Sequence, residues 1–380
     1  MCMKNLKVCA IASDPIYIGT GGYTIGRVDN TIVRDPSTRI PKIPGSSIAG
    51  TMRFYMALEL QSAFKDEYKK DLKRRKEIEE AYELLNSGKD SPGWMKYEGN
   101  KYALMKCAGQ DENPNEYYDN LPEIEENKAD KQGHCGHCIV CKTFGYSKNK
   151  RALAQQGIAF FSDLNILFFP VYTRFGVKWV TSPQILKFTG IKLNDKCLPN
   201  NDEVVILIDN EKKENHKINM INLGWINLPC RAENSDLFSL DSIDEDLKKY
   251  IKGNVVIVPD SLISHIINSN LEVRTSVSID PLTGAAQEGA LFTSEAIPRG
   301  TVFYGEIRLQ SRPLSNNLPN DGDVENALKD ASKYYESFGI GGMTTRGFGR
   351  MRVFIGNENN KNNGNKGDNI KENHVNENKN

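Results

Sequence analysis

Histidine is scarce in this chain of 380 residues, which contains only five. Two of them, His134 and His137, lie among cysteines, and the other three are far apart in the sequence. Nucleophilic catalysis by serine or cysteine usually needs a histidine base held beside the nucleophile. The sequence therefore gives no support for a triad hydrolase or for an enzyme built on paired histidines.

Long apolar runs are also absent. The mean hydropathy is −0.51, and apolar runs such as residues 166–169 are far shorter than the roughly 20 residues that a membrane helix needs. No secretory signal precedes the first strand-like segment. We expect a cytoplasmic chain with no membrane partner, whose eight cysteines are thiols or metal ligands rather than disulfides.

The chain has no net charge, with 49 basic and 49 acidic side chains, which argues against a tail-like polyelectrolyte. The charges are nevertheless segregated along the sequence. Residues 111–130 contain eight acidic side chains and one lysine, a net charge of −7, so the rest of the chain carries a net charge of +7. A modestly basic body remains compatible with nucleic acid as a partner.

The order of strand-like and helix-like segments indicates an α+β domain with long insertions rather than a doubly wound parallel sheet. The predicted strands are 5–12, 158–171, 204–208, 255–258, 273–279, 301–309 and 351–355, and the predicted helices are 182–188, 244–249 and 324–337. Another helix is predicted to begin at Ser46 and Ser47, whose hydroxyls offer an N-cap. Residues 65–90 predict a solvated helical insertion, and the asparagine-rich residues 357–380 predict a disordered tail.

Three cysteines, Cys135, Cys138 and Cys141, follow one another at three-residue spacing in a glycine-bearing segment. Thiolates at this spacing can converge on one zinc ion, and a closed tetrahedral site needs a fourth ligand. The candidates are Cys107 and His134, and we favour Cys107, because a residue adjacent to an existing ligand seldom reaches the same metal without strain. Free thiols and a redox-active thiol pair are the alternatives. The zinc is expected to be structural.

Two glycine-rich segments carry the other chemical signals. Residues 18–30 could bring backbone amides close to an anion, but they hold no Walker lysine and no dinucleotide-binding turn, which disfavours a nucleotide cofactor. Residues 339–352 interleave five glycines with three arginines and Phe348, groups that can hold a sugar-phosphate chain. The alternatives are a plain glycine-rich connection for the first segment and a turn before an edge strand for the second.

Taken together, these motifs resemble the RAMP superfamily. The segments that carry the resemblance are 18–30, 34–36, 43–53, 135–145, 161–171, 179–181, 274–292 and 339–349. More narrowly, the chain is similar to the repeated backbone subunit of type III (Cmr/Csm) CRISPR effector complexes, and it is nearer to the Cmr branch. The resemblance spans about residues 5–355.

The resemblance implies a ferredoxin-like, RNA-recognition-motif-type palm within a single domain of residues 1–356. An insertion at 65–150 would carry the helical, acidic and cysteine-bearing segments, and a β-hairpin thumb would lie at about 270–300. The resemblance further implies copies of the chain stacked along a guide CRISPR RNA, with other effector subunits. Each thumb would wedge into the guide–target duplex, with Leu282 near its tip unstacking bases.

The resemblance also implies an activity and a set of contacts. Asp29 corresponds by motif position to the carboxylate that supports cleavage of target RNA, and we expect Mg²⁺ or a similar ion to assist it. RNA contacts are assigned to Gly21, Gly22, Arg34, Ser46, Ser47, Arg53, Gly341, Gly342, Arg346, Gly347, Phe348 and Arg350. Many relatives carry a lysine where this chain has Ala49, so Lys42, Arg53 or the amides of residues 45–47 are expected to supply that phosphate contact.

Two rival interpretations stay open from the sequence. In one, Asp29 merely caps a turn, and the chain is a non-catalytic structural RNA-binding subunit of the same complex. In the other, the chain is a free-standing guide-processing nuclease, which the scarcity of histidine disfavours.

Overall fold

The structure is a computed structural model, and it describes most of the palm and hairpin regions and less of the central insertion. The described residues are 3–21, 28–63, 92–101, 105–108, 134, 136–146, 155–208, 219–235, 247–248, 251, 253–310 and 318–357. The predicted helical insertion at 65–90, the acidic segment at 111–130 and the asparagine-rich tail lie outside these residues.

Strands outnumber helices in the described part of the chain. The strands are β1 (Met3–Ala12), β2 (Lys42–Ile43), β3 (Gly145–Tyr146), β4 (Gln155–Gln156), β5 (Ala159–Phe161), β6 (Leu164–Thr173), β7 (Gly176–Thr181), β8 (Val204–Ile208), β9 (Met220–Leu223), β10 (Ile226–Asn234), β11 (Val255–Ile257), β12 (Glu272–Ile279), β13 (Ala286–Ala296), β14 (Val302–Gln310) and β15 (Met351–Asn357). The helices are α1 (Gly45–Ser62), α2 (Ile139–Phe144), α3 (Pro183–Phe188), α4 (Asp260–Ser269) and α5 (Asp321–Ser332).

Four strands define the class of the fold. Along the chain the order is β1, α1, β6, β14, α5, β15, and in the sheet these strands lie in the order β15-β1-β14-β6. Each neighbouring pair is antiparallel, with Val8 of β1 opposite both Gly305 and Ile355. This βαββαβ arrangement is ferredoxin-like. The α+β class expected from the sequence is confirmed.

The two long helices cover one face of this four-stranded unit because each has an apolar side. Met52, Met56 and Leu60 of α1 and Leu328 of α5 are fully or almost fully buried in one shared core. Burying a side chain of this size stabilises the fold by roughly 1.5–3 kcal/mol. Tyr335, which follows α5, is also buried, and its hydroxyl lies 2.6 Å from the hydroxyl of Thr51 on α1.

The sheet continues beyond β6 through β7, β11, β8, β10 and β9. Strand β8 is buried along its whole length, as expected for an internal strand with both faces covered. A second core on the opposite face of the sheet includes Leu167, Phe168, Trp179 and Leu186. The predicted strand at 204–208 has the observed bounds. The predicted strand at 158–171 is divided between β5 and β6, because the chain turns at Ser162 and Asp163.

A separate two-stranded sheet is formed by β12 and β13, which pair only with each other among the described strands. Large apolar side chains are exposed along this hairpin and at its tip: Ile279 is 57% exposed, Leu282 95% and Leu291 66%. The end nearest the palm, which we call the hairpin root, comprises residues 272–275 and 292–296. The hairpin occupies the position where the sequence predicts a thumb.

Candidate functional site

The loop after β1 packs directly against the hairpin root. Residues 28–34 of this early loop run beside β13, and Asn30 forms a parallel bridge with Ser294. Earlier in the loop, Ile16 forms an antiparallel bridge with Ile297, just after β13. The Asn30 amide donates to the Thr293 carbonyl at 3.0 Å, and the Glu295 amide donates to the Asn30 carbonyl at 3.0 Å. The early loop and the hairpin therefore form one continuous hydrogen-bonded surface.

Asp29 is exposed on this surface, and Thr293 holds its carboxylate. Oδ2 of Asp29 accepts hydrogen bonds from the Thr293 amide at 2.7 Å and from the Thr293 hydroxyl at 2.9 Å. The Asp29 amide in turn donates to the same hydroxyl oxygen at 3.1 Å. These three bonds fix the direction of the carboxylate relative to the hairpin.

The same hydrogen bonds favour the ionised form of Asp29. Donation first from the Thr293 backbone amide and then from its hydroxyl lowers the pKa of Asp29 below its ordinary value. A carboxylate with a lowered pKa is ionised at neutral pH and is a weak proton acceptor. The group is therefore better suited to orient a hydroxyl or to bind a cation than to remove a proton.

Arg34 does not face solvent as a free phosphate ligand. Its guanidinium forms an ion pair with Glu295 at 2.6 Å and donates to the side-chain oxygen of Asn268 at 2.9 Å. Arg34 therefore connects the early loop to α4 and to the hairpin root. These contacts clamp the hairpin on the palm, which weighs against the predicted RNA contact of Arg34.

The glycine-rich segment 339–350 packs against the early loop rather than offering free amide donors. Gly342 donates its amide to the Tyr17 carbonyl at 3.0 Å, and Gly349 donates to Pro15 at 2.9 Å. Gly341 has a φ of +83°, and a Cβ there would lie 2.2 Å from the Tyr17 carbonyl oxygen. These glycines are needed for close backbone packing, and the amide of Gly342 is engaged within the protein rather than open to RNA.

Phe348 was expected to stack on RNA, but it is buried, with only 3% of the residue exposed. The ring contacts Tyr17 edge-on, and the guanidinium of Arg274 lies 4.6 Å from its centroid. Arg274 also donates to the Gly347 carbonyl at 3.1 Å. Phe348 therefore contributes to packing at the hairpin root and cannot stack on a base in this conformation.

The remaining predicted RNA contacts differ in exposure and in whether a side chain of the protein already pairs with them. Arg350 forms an ion pair with Asp14, so its charge is balanced within the protein. Arg346 and Gly347 are exposed, at the surface of the same loop. Gly21 is exposed with a φ of +80°, while Gly22 lies outside the described residues.

The N-terminus of α1 is capped from a distant part of the chain. The amide of Gly45 donates to Oδ1 of Asp163 at 2.8 Å, and Lys42 binds the other oxygen of that carboxylate at 2.7 Å. No side chain of the helix start caps it; Pro44 occupies the N-cap position. The predicted capping by Ser46 and Ser47 is therefore wrong, and Lys42 is already engaged by a carboxylate.

A cluster of potential metal ligands lies beside α1. Ligand atoms of Cys107, His134 and Cys141 all lie within 4.8 Å of one another. Both cysteines are buried, and sulfur, nitrogen and sulfur donors suit zinc. Cys107 and His134, the two candidates for the fourth zinc ligand, therefore both belong to the cluster.

The other two predicted zinc ligands are Cys138 and Cys135. Cys138 is outside this group of three, and its sulfur accepts a hydrogen bond from the Cys141 amide at 3.5 Å. Cys135 lies outside the described residues.

Arg53 is placed at this cluster and not at the hairpin root. Its Nε donates to the Cys107 carbonyl at 2.7 Å, and Nη2 lies 2.9 Å from Nδ1 of His134. Contacts with the sulfur atoms of Cys107 and then Cys141 raise the pKa of His134 to about 9. These contacts hold the cluster against α1, which weighs against the predicted role of Arg53 in binding RNA.

Sequence reasoning missed Thr293, Asp163 and Arg274. Each acts on a partner more than 70 positions away in the chain. No local pattern marks such a residue, since its role exists only after the strands have paired.

Comparison with known proteins shows which family the chain matches. A profile of the RAMP superfamily matches residues 12–352. The CRISPR system Cmr endoribonuclease Cmr4 of Pyrococcus furiosus is 26% identical over 232 residues, which is 57% of this chain and 75% of that protein. The CRISPR system Cms endoribonuclease Csm3 of Methanothermobacter thermautotrophicus is 64% identical over 60 residues, which is 16% of this chain and 21% of that protein.

The fold is similar to that of a solved assembly. A chain in the cryo-EM structure of the type III-B Cmr-beta apo state superposes with a TM-score of 0.51 at 13% identity, covering 93% of this chain and 97% of that chain. In the described part of the present chain, no helix has the length and apolar character to cross a membrane.

Proposed function

The chain belongs to the RAMP superfamily, and from this premise we propose that it is a guide-RNA-binding backbone subunit of a type III CRISPR ribonucleoprotein that cuts complementary target RNA. The observation that carries the proposal is the position of Asp29, an ionised carboxylate fixed at the root of a hairpin with an exposed apolar end. Two relatives are named as CRISPR endoribonucleases, which supports the reaction class.

The hairpin supplies the geometric part of the mechanism. Apolar side chains inserted between base steps unstack a duplex, and Leu282 and Leu291 are exposed for such a contact. In the proposed complex, copies of the chain lie side by side along the guide with other effector subunits. Each copy then distorts the guide–target duplex at one place, and the distortions recur at a fixed interval.

The target RNA supplies its own nucleophile. Where the backbone leaves the helical path, a 2′-hydroxyl can rotate into line with the neighbouring phosphorus. The 2′-oxygen attacks there and loses its proton to water, and the bond from phosphorus to the 5′-oxygen of the next nucleotide breaks. That oxygen takes a proton from water, which gives a 2′,3′-cyclic phosphate and a 5′-hydroxyl. Asp29 orients that hydroxyl through Oδ1, while Thr293 occupies Oδ2. A Mg²⁺ ion held by Asp29 would balance charge on the phosphate.

Guide binding must be insensitive to sequence, because one protein serves many guides. Contacts to phosphates have this property. Arg346 is exposed on the glycine-rich loop, whereas the exposed Arg350 is paired with Asp14, and we therefore assign Arg346 to the guide backbone. We assign structural zinc to Cys107, His134 and Cys141, with a fourth ligand drawn from the cysteine segment. The whole described chain then forms one domain with insertions.

A non-catalytic subunit of the same complex is the second candidate. The observation that favours it is the pairing of Asp29 with Thr293, because a carboxylate that accepts from a strand amide and hydroxyl also serves to attach a loop to that strand. In that case the chain holds RNA and another subunit cuts it.

The proposed association with a guide is tested by purifying the full chain from its own cell background and sequencing the RNA that accompanies it. We expect RNAs with a shared repeat-derived end and variable remainder, in complexes containing several copies of the chain. RNA with no common element, or none at all, would contradict guide binding. Cleavage is tested separately, with labelled complementary RNA and the assembled complex.

A further inference from the structure

A groove with a volume of about 700 Å³ lies between the early loop, α3, α4 and β14. Small-molecule sites have volumes of roughly 300–1,000 Å³, so the groove is large enough for a ligand. Its apolar surface includes Ile40, Ile185 and Phe188. The RNA contacts proposed above use none of the residues that line it.

The charged side chains that line the groove are all acidic. They are Asp35, Asp163, Asp260 and Glu306. No lysine, arginine or histidine is among the lining residues that the structure describes. Lys42 and Arg308 pair with three of these carboxylates without lining the groove, and Asp260 forms no ion pair within the described chain. The groove therefore favours a cationic ligand and disfavours the phosphates of RNA.

Two hydroxyls at the groove add acceptors to these carboxylates. Ser37 donates its hydroxyl to Asp35 at 2.6 Å, and Ser264 donates its hydroxyl to the Thr38 carbonyl at 2.8 Å. Because each proton is already bound within the protein, the hydroxyl oxygen has only lone pairs to offer to a ligand. A ligand that carries N–H donors matches this arrangement.

Ser182 supplies a second, independent indication that the groove receives a ligand. It lines the groove at the N-cap position of α3 and is 1% exposed, yet its hydroxyl makes no cap and has no hydrogen-bond partner in the described chain. An N-cap serine ordinarily accepts from an amide of the first turn. Here the Gln184 amide donates instead to Oδ1 of Asp260 at 2.9 Å. Buried hydroxyls are nearly always paired, so a ligand donor is the partner that fits.

We propose that this groove binds an aliphatic polyamine, with the ammonium groups on the carboxylates and hydroxyls and the methylene chain on the apolar surface. Hydrogen bonds from an ammonium to a carboxylate are charge-assisted and stronger than neutral ones. A single metal ion does not fit, because the only group of three or more potential metal ligands in the described chain is Cys107, His134 and Cys141. The acidic side chains of the groove do not converge on one point, whereas a polyamine carries its charges at separated positions.

Isothermal titration calorimetry of the full chain, freed of RNA by nuclease and high salt, tests the site with spermine as the probe. We expect saturable binding. Asp260→Asn should bind about tenfold more weakly, the effect of one lost charge-assisted bond, while its remaining oxygen still accepts from Gln184. Ser182→Ala should bind about fivefold more weakly. The melting temperature of the free Ser182→Ala protein should not fall, because no bond within the described chain is lost.

Asp195→Asn is the matched control. Asp195 is also exposed and also begins a helical turn, at residues 195–197, but it does not line the groove, so its variant should bind spermine as the wild type does. No saturable binding by the wild type, full affinity in Asp260→Asn, or an equal loss in Asp195→Asn would overturn the polyamine site. Binding of Mg²⁺ alone with the same dependence on Asp260 would show a metal site and would also overturn it. Each of these results would leave the proposed function intact, since no RNA takes part in the measurement.

Discussion

Thr293 is the residue whose contacts give Asp29 a defined chemical state. Its amide and hydroxyl both bind Oδ2, and this lowers the pKa of a carboxylate that is otherwise surrounded by water. In the folded chain the ionised form is favoured down to a pH below the ordinary value of about 3.9. The stabilising effect of these bonds is present above that value and is lost as the pH falls through the lower folded pKa.

The first prediction concerns this positioning role. Thr293→Val keeps the amide and the shape of the side chain but removes the hydroxyl, so target cleavage should fall by about tenfold through a less defined carboxylate. Thr293→Ser should restore most of the rate. Because Asp29 stays ionised in all three proteins, the pH–rate profile between about pH 5 and 8 should keep its shape. Wild-type rates in Thr293→Val would show that the hydroxyl does not position Asp29.

The second prediction concerns the cysteine–histidine cluster. Metal analysis of purified protein should find about one zinc per chain, and Cys141→Ser should lose most of it, because Cys141 is one of the three clustered ligands. Cys197→Ser is the control, because Cys197 is also buried but is not one of the three clustered ligands. Burial first, and then nearby Glu233, raise the pKa of its thiol, which disfavours the thiolate that zinc binds. Equal zinc content in both variants, or no zinc in the wild type, would contradict the assignment.

The resemblance points to Asp29 and the cysteine spacing points to a metal site, but neither names the residues that contact these side chains, such as Thr293. Arg34, Arg53 and Phe348 show the limit of such reading. Their residue types suit RNA, yet the paired strands and α1 bring them against Glu295, Cys107 and Arg274, which engage them inside the protein. Whether an arginine is free for a ligand depends on neighbours that are distant in sequence.

At the scale of single elements, strands and helices with a clear apolar pattern were predictable. The predicted strand 204–208 and helix 182–188 match β8 and α3 within a residue, whereas α4 and the β9–β10 hairpin were not predicted. The N-cap of α1 was placed two or three residues too late, and for a wrong reason. Two serines follow Pro44 there, but the capping carboxylate comes from Asp163 after β5, and no local rule could have named it.

The third prediction tests that cap. Asp163→Ala should lower the free energy of unfolding by about 1 kcal/mol, because the first amide of α1 loses its acceptor. The matched control is Ser46→Ala, which should change stability little, since Ser46 is exposed and makes no cap in α1. Urea denaturation of both variants would decide the matter. A larger loss in Ser46→Ala than in Asp163→Ala would show that the serine caps the helix.

At the scale of the whole molecule, the ferredoxin-like unit brings three separate segments to one place. The early loop leaves β1, the hairpin precedes β14, and the glycine-rich loop precedes β15, so all three meet where these neighbouring strands end. This explains why motifs hundreds of residues apart share one surface. The fold class could be predicted from the order of strands and helices along the sequence. The meeting of the three loops depends on the order of the strands in the sheet, which the sequence pattern does not give.

The fourth prediction separates surface arginines by their place in the fold. Arg346→Ala should weaken binding of RNA of any sequence and reduce the slope of log affinity against log salt by about 0.7–1, the effect of one lost phosphate contact. Arg53→Ala should leave that slope unchanged, because its guanidinium contacts Cys107 and His134. Filter binding over a salt series measures both. A reduced slope in Arg53→Ala alone would reverse the assignment.

The most direct test of the account is cleavage of labelled complementary RNA by the assembled complex, resolved on a sequencing gel, with wild-type and Asp29→Asn subunits. Asparagine retains an oxygen for Thr293 but removes the charge, so assembly and target capture should survive. Asp202→Asn, at an exposed turn, controls for the loss of a surface carboxylate. The account predicts evenly spaced cuts in the presence of Mg²⁺ that fall by about 100-fold or more in Asp29→Asn alone. Evenly spaced cuts of undiminished strength in Asp29→Asn, or no cuts from the wild type, would contradict it.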